Sequence, residues 1–452
     1  MSGLPDIKAG QGRAGRLSRR AVLVLPAVLG GCSLFDSWFG ENKAPLPGKR
    51  VAVISPRRGL EVDARDARVV LPPPAANAAW PQAGGIPSHA MGHLQVRDVL
   101  APAWHAGIGE GGGYRSKITA QPVVAGGRVF TMDSDAVVTA YDSTDGRQVW
   151  RVDTQAEGDR STNVGGGIAV EGDILYAGTG RAELLALAAA TGSIRWRKTL
   201  ATPVRAAPTI ADGRIFVITL DSQIQALAAD DGRRLWGYQA TNPETSMLGL
   251  PAPAYADGLV VAGFGSGDLV ALRAATGSVA WSDSLAAVRG RNSLLDLSAV
   301  RGLPVVTDGR VYAGGVGGLT LSLDLRTGRR LWERDIATGD TLWVAGDWLF
   351  LLSSDGHVAA VRRSDGRIAW VTELPQFEDE EKKKDPIHWI GPVLAGDRLI
   401  LGSSNGLALA VSPYTGDILG RQDLSGPVAV APAVAGGTVY VITDDATLAA
   451  LR

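Results

Sequence analysis

The chain has 452 residues, 45% hydrophobic and 20% charged, with 45 Lys and Arg against 46 Asp and Glu. Such a composition excludes a disordered chain, a collagen and a membrane protein with several spans. With charge balanced and no basic cluster interleaved with aromatics, nucleic acid is excluded as a partner, and 58 Gly beside 12 Trp point to short strands, tight turns and internal repetition.

Lys8, Arg13, Arg16, Arg19 and Arg20 against Asp6 give residues 1–31 a net charge of +4, and they lead into an apolar run over residues 21–29. This predicts a signal peptide over 1–31, its run too short to span a bilayer as a mature helix. Leu29-Gly30-Gly31-Cys32 sets small residues before the only cysteine. It resembles the lipobox of bacterial lipoproteins, which implies cleavage before Cys32 and lipidation of Cys32. A lone cysteine in an exported chain has no internal disulfide partner. Subtracting the +4 leader from the whole-chain −1 leaves −5 on the mature protein. Ser33, where an Asp would signal inner-membrane retention, implies by the same resemblance sorting to the outer membrane. Ser18-Arg19-Arg20-Ala21-Val22-Leu23 resembles the start of a twin-arginine signal without its later lysine, so both export routes stay open. Residues 32–98, rich in Pro, Ala and Arg and including Leu71-Pro72-Pro73-Pro74, are expected to form the lipidated cysteine and a partly extended tether.

Residues 99–452 are expected to form one repeat body. One pattern recurs seven times, with best copies Ala186-Leu187-Ala188-Ala189-Ala190-Thr191-Gly192-Ser193-Ile194-Arg195-Trp196 and the stretch ending at Trp281. The other copies end at Trp150, Trp236, Trp332, Trp370 and, breaking the pattern, Gly420. Thr-Gly or Asp-Gly between alternating apolar runs predicts strand, tight turn, strand. A second hairpin pattern turns at Gly127, Asp173, Gly213, Gly258, Gly309, Asp347, Asp397 and Gly437. Two hairpins per unit make four strands, and units of about forty residues are propeller blades. The prediction is an all-β, eight-bladed propeller of four-stranded antiparallel blades. Because the chain stops at Leu451-Arg452 before its last outer strand, a strand near residues 99–105, containing Trp104, is expected to pair with the C-terminal blade and close the ring.

The Thr-Gly-x-x-x-Trp signature resembles the repeat of pyrroloquinoline-quinone (PQQ) dehydrogenase propellers and their cofactor-free relatives. The resemblance implies a structural role between neighbouring blades for Trp104, Trp150, Trp196, Trp236, Trp281, Trp332 and Trp370, and a weaker junction at Gly420. PQQ enzymes place a flat quinone over the central channel and use vicinal cysteines, a calcium site and an Asp base. Here Cys32 is the single cysteine, so no catalytic residue, cofactor or metal site is expected. His89 and His93 lack the glutamate of the zinc-protease motif and are expected to be surface or packing residues. Neither glycine-rich stretch, 109–113 or 165–167, is a P-loop. Over residues 377–386 acids stand four residues before lysines, which predicts one or two helical turns on a solvated loop, with or without a partner.

Without catalytic residues, function falls to the loops. From each terminal Trp position to the next hairpin turn the intervals are 23, 23, 17, 22, 28, 15, 27 and 17 residues. The connections after Trp236, Trp281 and Trp370 exceed the minimum on one face and suggest a docking surface. The first carries Met247, Leu248 and Leu250, and the second Arg291, Leu294, Leu295, Asp296 and Arg301. Apolar residues mixed with Arg suit partner contacts, and they equally suit covering the adjacent blade.

Lipobox, tether and eight PQQ-like blades without quinone machinery resemble the BamB family, lipoproteins of the outer-membrane β-barrel assembly (BAM) machinery. The tract Trp80-Pro81-Gln82-Ala83-Gly84-Gly85 followed by His89 is similar to the alphaproteobacterial version. The resemblance implies a non-catalytic scaffold and a monomer within the complex, attached by its lipid to the periplasmic face of the outer membrane. It implies binding to BamA POTRA domains through the loops after Trp236 and Trp281, with other BAM lipoproteins and nascent outer-membrane proteins as further partners. The family's arginine in the first loop is absent, and Ala299 and Arg301 replace its acidic pair before Pro304. A periplasmic PQQ-dependent oxidoreductase and a lipid-anchored propeller binding a polysaccharide or another ligand are the competing functions.

Overall fold

The computed structural model describes residues 59–63, 67–113, 116–243, 249–286 and 299–452. The signal peptide, Cys32 and the rest of 32–58 lie outside the described residues. In the first repeat, alternation and turn glycines produce four strands, Val123–Ala125, Arg128–Met132, Val137–Asp142 and Gln148–Asp153. Gly127 turns the first hairpin at φ +74° and Gly146 the second at +73°, a left-handed conformation that glycine adopts without a Cβ penalty. Seven such four-stranded units follow one another in the chain, and an eighth closes the ring, all antiparallel. No helix occurs among the described residues. We number the blades 1 to 8 from Val123. The middle strands of each blade are buried, as in Arg214–Ile218, where all but Arg214 are sealed from solvent.

Ring closure comes from both chain ends. Pro102–Gly107 pairs with Thr447–Leu451, setting Trp104 opposite Ala450, and Ala101 and Arg452 exchange backbone hydrogen bonds of 2.8 and 2.9 Å. Blade 8 therefore takes its outer strand from the N-terminal side, as the missing last turn of the repeat requires.

The seven tryptophans hold neighbouring blades together by one recurring contact. The Trp104 ring lies where a Cβ on Gly146 of blade 1 would fall, 2.4 Å from it, and Trp281 does the same to Gly328 of blade 5 at 2.6 Å. The indole N–H donates to a carbonyl of the next blade's turn, from Trp150 to Ala189 at 3.0 Å and from Trp332 to Arg363 at 2.8 Å. Trp196 packs on Gly232 without that bond. An aromatic on the second strand of the same blade often backs the ring, as Phe130 does for Trp150 and Tyr312 for Trp332. At Gly420 the next turn would belong to blade 8, which has none, so a tryptophan there would have nothing to pack upon. The strand Ile418–Asp423 is accordingly exposed along most of its length.

Two expectations are corrected. First, the tether does not extend to residue 98. Val69, Trp80 and Leu94 are 3%, 1% and 2% exposed, and residues 75–94 circle the inner rim of the ring beside the first-hairpin turns. The backbone follows the blades in ring order. Asn77 bonds blade 8 through its carbonyl to Gly436 N–H, and Trp80 pairs with Val124 of blade 1. Pro81 accepts from Val170 of blade 2, while the Gln82 side-chain oxygen accepts from Ile210 of blade 3. Pro87 and Ser88 accept from Tyr255 of blade 4 and Val306 of blade 5. Gly92 accepts from the Trp343 indole of blade 6, and Leu94 bridges to blade 7 at Leu394 and Gly396. Sequence periodicity missed this segment because it has neither the strand nor the helix period, only a rim of partners distant in the chain. Second, residues 377–386 form a two-stranded hairpin, Phe377–Asp379 with Lys384–Pro386, rather than helical turns. The Asp379 carboxylate accepts the Lys382 N–H at 3.0 Å and pairs with its ammonium, and Lys383 and Asp385 at positive φ reverse the chain.

Candidate docking face

In an up-and-down blade the connection to the next blade leaves on the same face as the turn between the second and third strands, and the two glycine turns occupy the other face. The connections form an interlocked collar on their face. Asn163, before blade 2, donates to Ser134 and accepts the Gly180 N–H at 2.7 Å. Arg205, before blade 3, donates to Val164 at 2.8 Å, and its own carbonyl accepts the Leu250 N–H at 2.9 Å. Burial holds the Arg205 guanidinium below its ordinary pKa.

The long connections are fixed at both ends. Between blades 3 and 4, Pro243 packs toward Gly265, and Leu250 is 9% exposed in the cluster containing Phe264 and Ala206. Leu250, expected as a partner contact, is thus a cover for its own blades, because its backbone is held against Arg205 and its side chain faces the core. Between blades 4 and 5, Leu285, Ala299 and Val300 are buried, and Val300 bonds Phe264. Met247, Leu248, Arg291, Leu294, Leu295 and Asp296 lie outside the described residues. Arg301 is exposed.

Beside Arg301 stands Asp340, a residue sequence reasoning missed because it belongs to the shortest connection. Gly302 lets the two connections touch, since a Cβ there would lie 2.2 Å from the Asp340 carbonyl. Burial pushes the Asp340 carboxyl up to about 6, against the opposing pull of the Arg301 charge and a 3.3 Å hydrogen bond from Gly391 N–H. A cation and a half-buried carboxyl thus share the collar over blades 5 and 6.

Other buried ionisable groups are spent on structure. Asp133 accepts three backbone N–H groups, from Glu110, Asp135 and Val137, and lies 3.7 Å from Arg151, with burial raising its pKa. Glu183 pairs with Arg197 at 2.5 Å. His89 and His93 are both buried packing residues in the rim segment, bonded to the carbonyls of Pro304 at 2.7 Å and Pro72 at 2.8 Å. No group of three or more His, Cys, Asp or Glu able to hold a metal ion occurs among the described residues. The inner strands are hydrogen-bonded to residues 77–94 beside their first-hairpin turns.

A family model described as outer membrane protein assembly factor BamB matches residues 104–163, 134–372 and 376–452. The chain is 28% identical over 370 residues to the outer membrane protein assembly factor BamB of Yersinia pestis, covering 77% of this chain and 91% of that relative. With the Burkholderia pseudomallei protein of the same name it shares 28% over 381 residues, covering 82% and 92%. The crystal structure of BamB from Moraxella catarrhalis superposes with a TM-score of 0.66 at 22% identity, covering 78% of this chain and 100% of that one. Quinohemoprotein alcohol dehydrogenase from Comamonas testosteroni superposes at 0.65 with 15% identity, covering 83% and 81%, a likeness of fold alone.

Proposed function

The chain belongs to the outer membrane protein assembly factor BamB family, and from that premise we propose that it is a non-catalytic scaffold of the outer-membrane β-barrel assembly machinery. It is lipidated at Cys32, faces the periplasm from the outer membrane, and binds BamA POTRA domains through the connections between blades 3 and 4 and between blades 4 and 5. The other lipoproteins of the machinery and nascent outer-membrane proteins are its further partners. The observation that carries this reading is the match to the family along the whole propeller. The fixed ends of the two long connections support it, because Leu250, Leu285, Ala299 and Val300 are buried and hold each connection against its blades. The single cysteine, where PQQ enzymes use a vicinal pair, speaks against the oxidoreductase reading, although the quinoprotein fold is shared.

Charge reversal within the two long connections is the test. Met247→Glu with Leu248→Glu, or Leu295→Glu with Arg291→Glu, should weaken binding to purified BamA POTRA domains by roughly thirtyfold, the loss of about 2 kcal/mol typical of a central anchor. Arg160→Glu, on an exposed position of the connection before blade 2, should leave binding intact. Folded variants that bind normally would move the interface to another face.

A further inference from the structure

Residues 75–94 contain no Lys, Arg, Asp or Glu, an uncharged run of a kind a solvated tether does not need. The same residues end where they begin, since Ala75 N–H donates to His93 and Gln95 N–H donates to Ala75 at 2.8 and 2.9 Å. Between those bonds the loop touches all eight blades, almost always through backbone groups. The inner strands it meets would otherwise present unpaired N–H and C=O groups at the rim, a standing template for another chain. Close fit selects the occupant. Gly84 and Gly85 have φ of +71° and +91°, and a Cβ on Gly85 would lie 2.3 Å from the Met91 sulfur.

We propose that the inner rim of the ring is a binding site for an uncharged peptide loop, and that its ligand is residues 75–94 of the same chain, held by isolated hydrogen bonds to successive blades rather than as an added strand. Occupancy ties the eight blades into one cooperative unit and bars the rim to any other peptide. The inference stands on the rim geometry alone and does not depend on the docking loops.

A protease site in place of residues 64–66 and a second at exposed Val99 allow the segment to be cut free within the mature full-length protein. After cutting, the peptide should co-elute with the body in gel filtration and separate only in denaturant, and the protein should retain one melting transition. Gly85→Val should lower the melting midpoint of the uncut chain by several degrees and release the peptide once the chain is cut. A peptide that leaves the wild-type body while the melting midpoint stays unchanged would overturn the proposal, as would a Gly85→Val chain indistinguishable from wild type in both measurements.

Discussion

Gly277 and Gly328 adopt φ of +73° and +71°, and a Cβ on either would lie 2.6 Å from the tryptophan of the preceding blade. Backbone strain and collision add, so Gly277→Ala should cost about 2 kcal/mol or more in denaturant unfolding. Gly420→Trp should bring no gain, since no turn receives the ring. Two ionisable residues act in opposite directions with pH. His89 is buried, its Nε2 has no hydrogen-bond partner, and burial lowers its pKa to about 4 despite the Pro304 carbonyl. The unfolded chain, with a histidine near 6.5, takes up its proton first, so this contribution is intact above pH 6.5 and erodes as pH falls toward 4, by about 3 kcal/mol in all. Asp340, raised from 3.8 to about 6, costs stability that builds up as pH rises between those values and is absent below them. Asp340→Asn should therefore raise the melting midpoint at pH 7.5 and change little at pH 3, whereas His89→Asn should flatten the acid side of the stability profile. Midpoints measured across that range for each variant against wild type check both signs.

At the scale of elements, the hairpin Phe377–Asp379 with Lys384–Pro386 and the strand Pro102–Gly107 make opposite demands on the ring. The hairpin stands on a neck closed by the 2.7 Å bond from Ile387 N–H to Gln376, and none of its residues is buried. Replacing residues 377–386 with Asn-Gly should leave the melting midpoint nearly unchanged. The closing strand is also largely exposed, yet it covers the edge of Thr447–Leu451 and sends Trp104 onto blade 1. Arg452 reinforces that closure by reaching Thr438 and the Ser143 carbonyl that also receives the Trp104 indole at 3.2 Å. Trp104→Ala should cost about 3 kcal/mol, at the lower end for a large aromatic because its ring remains partly exposed. Charge spacing in 377–386 misled the helix expectation because acids shortly before lysines also suit a tight turn, in which Asp379 binds Lys382 three residues on. The closing strand was legible because a four-stranded repeat with seven complete second hairpins leaves a countable vacancy.

For the whole molecule, the described body begins at Gly59, and the ring and rim contacts that hold it are made among the described residues. Cys32→Ser should then move the protein from the membrane to the soluble fraction, with the melting transition of the body unaltered. A Ser variant that stayed in the membrane after leader removal would contradict lipid anchoring. The sequence by itself determined the all-β class, eight blades, the closing strand and the structural tryptophans. Those features are written as local periods, with glycine where the backbone must turn left-handed and tryptophan at a constant distance behind it. It could also show which connections are long. Only the tertiary structure decided that residues 75–94 circle the inner rim, that Leu250 seals its own blades, and that Asp340 meets Arg301. Each of these depends on partners distant in the chain, brought together by the closed ring, and no local period records such partners.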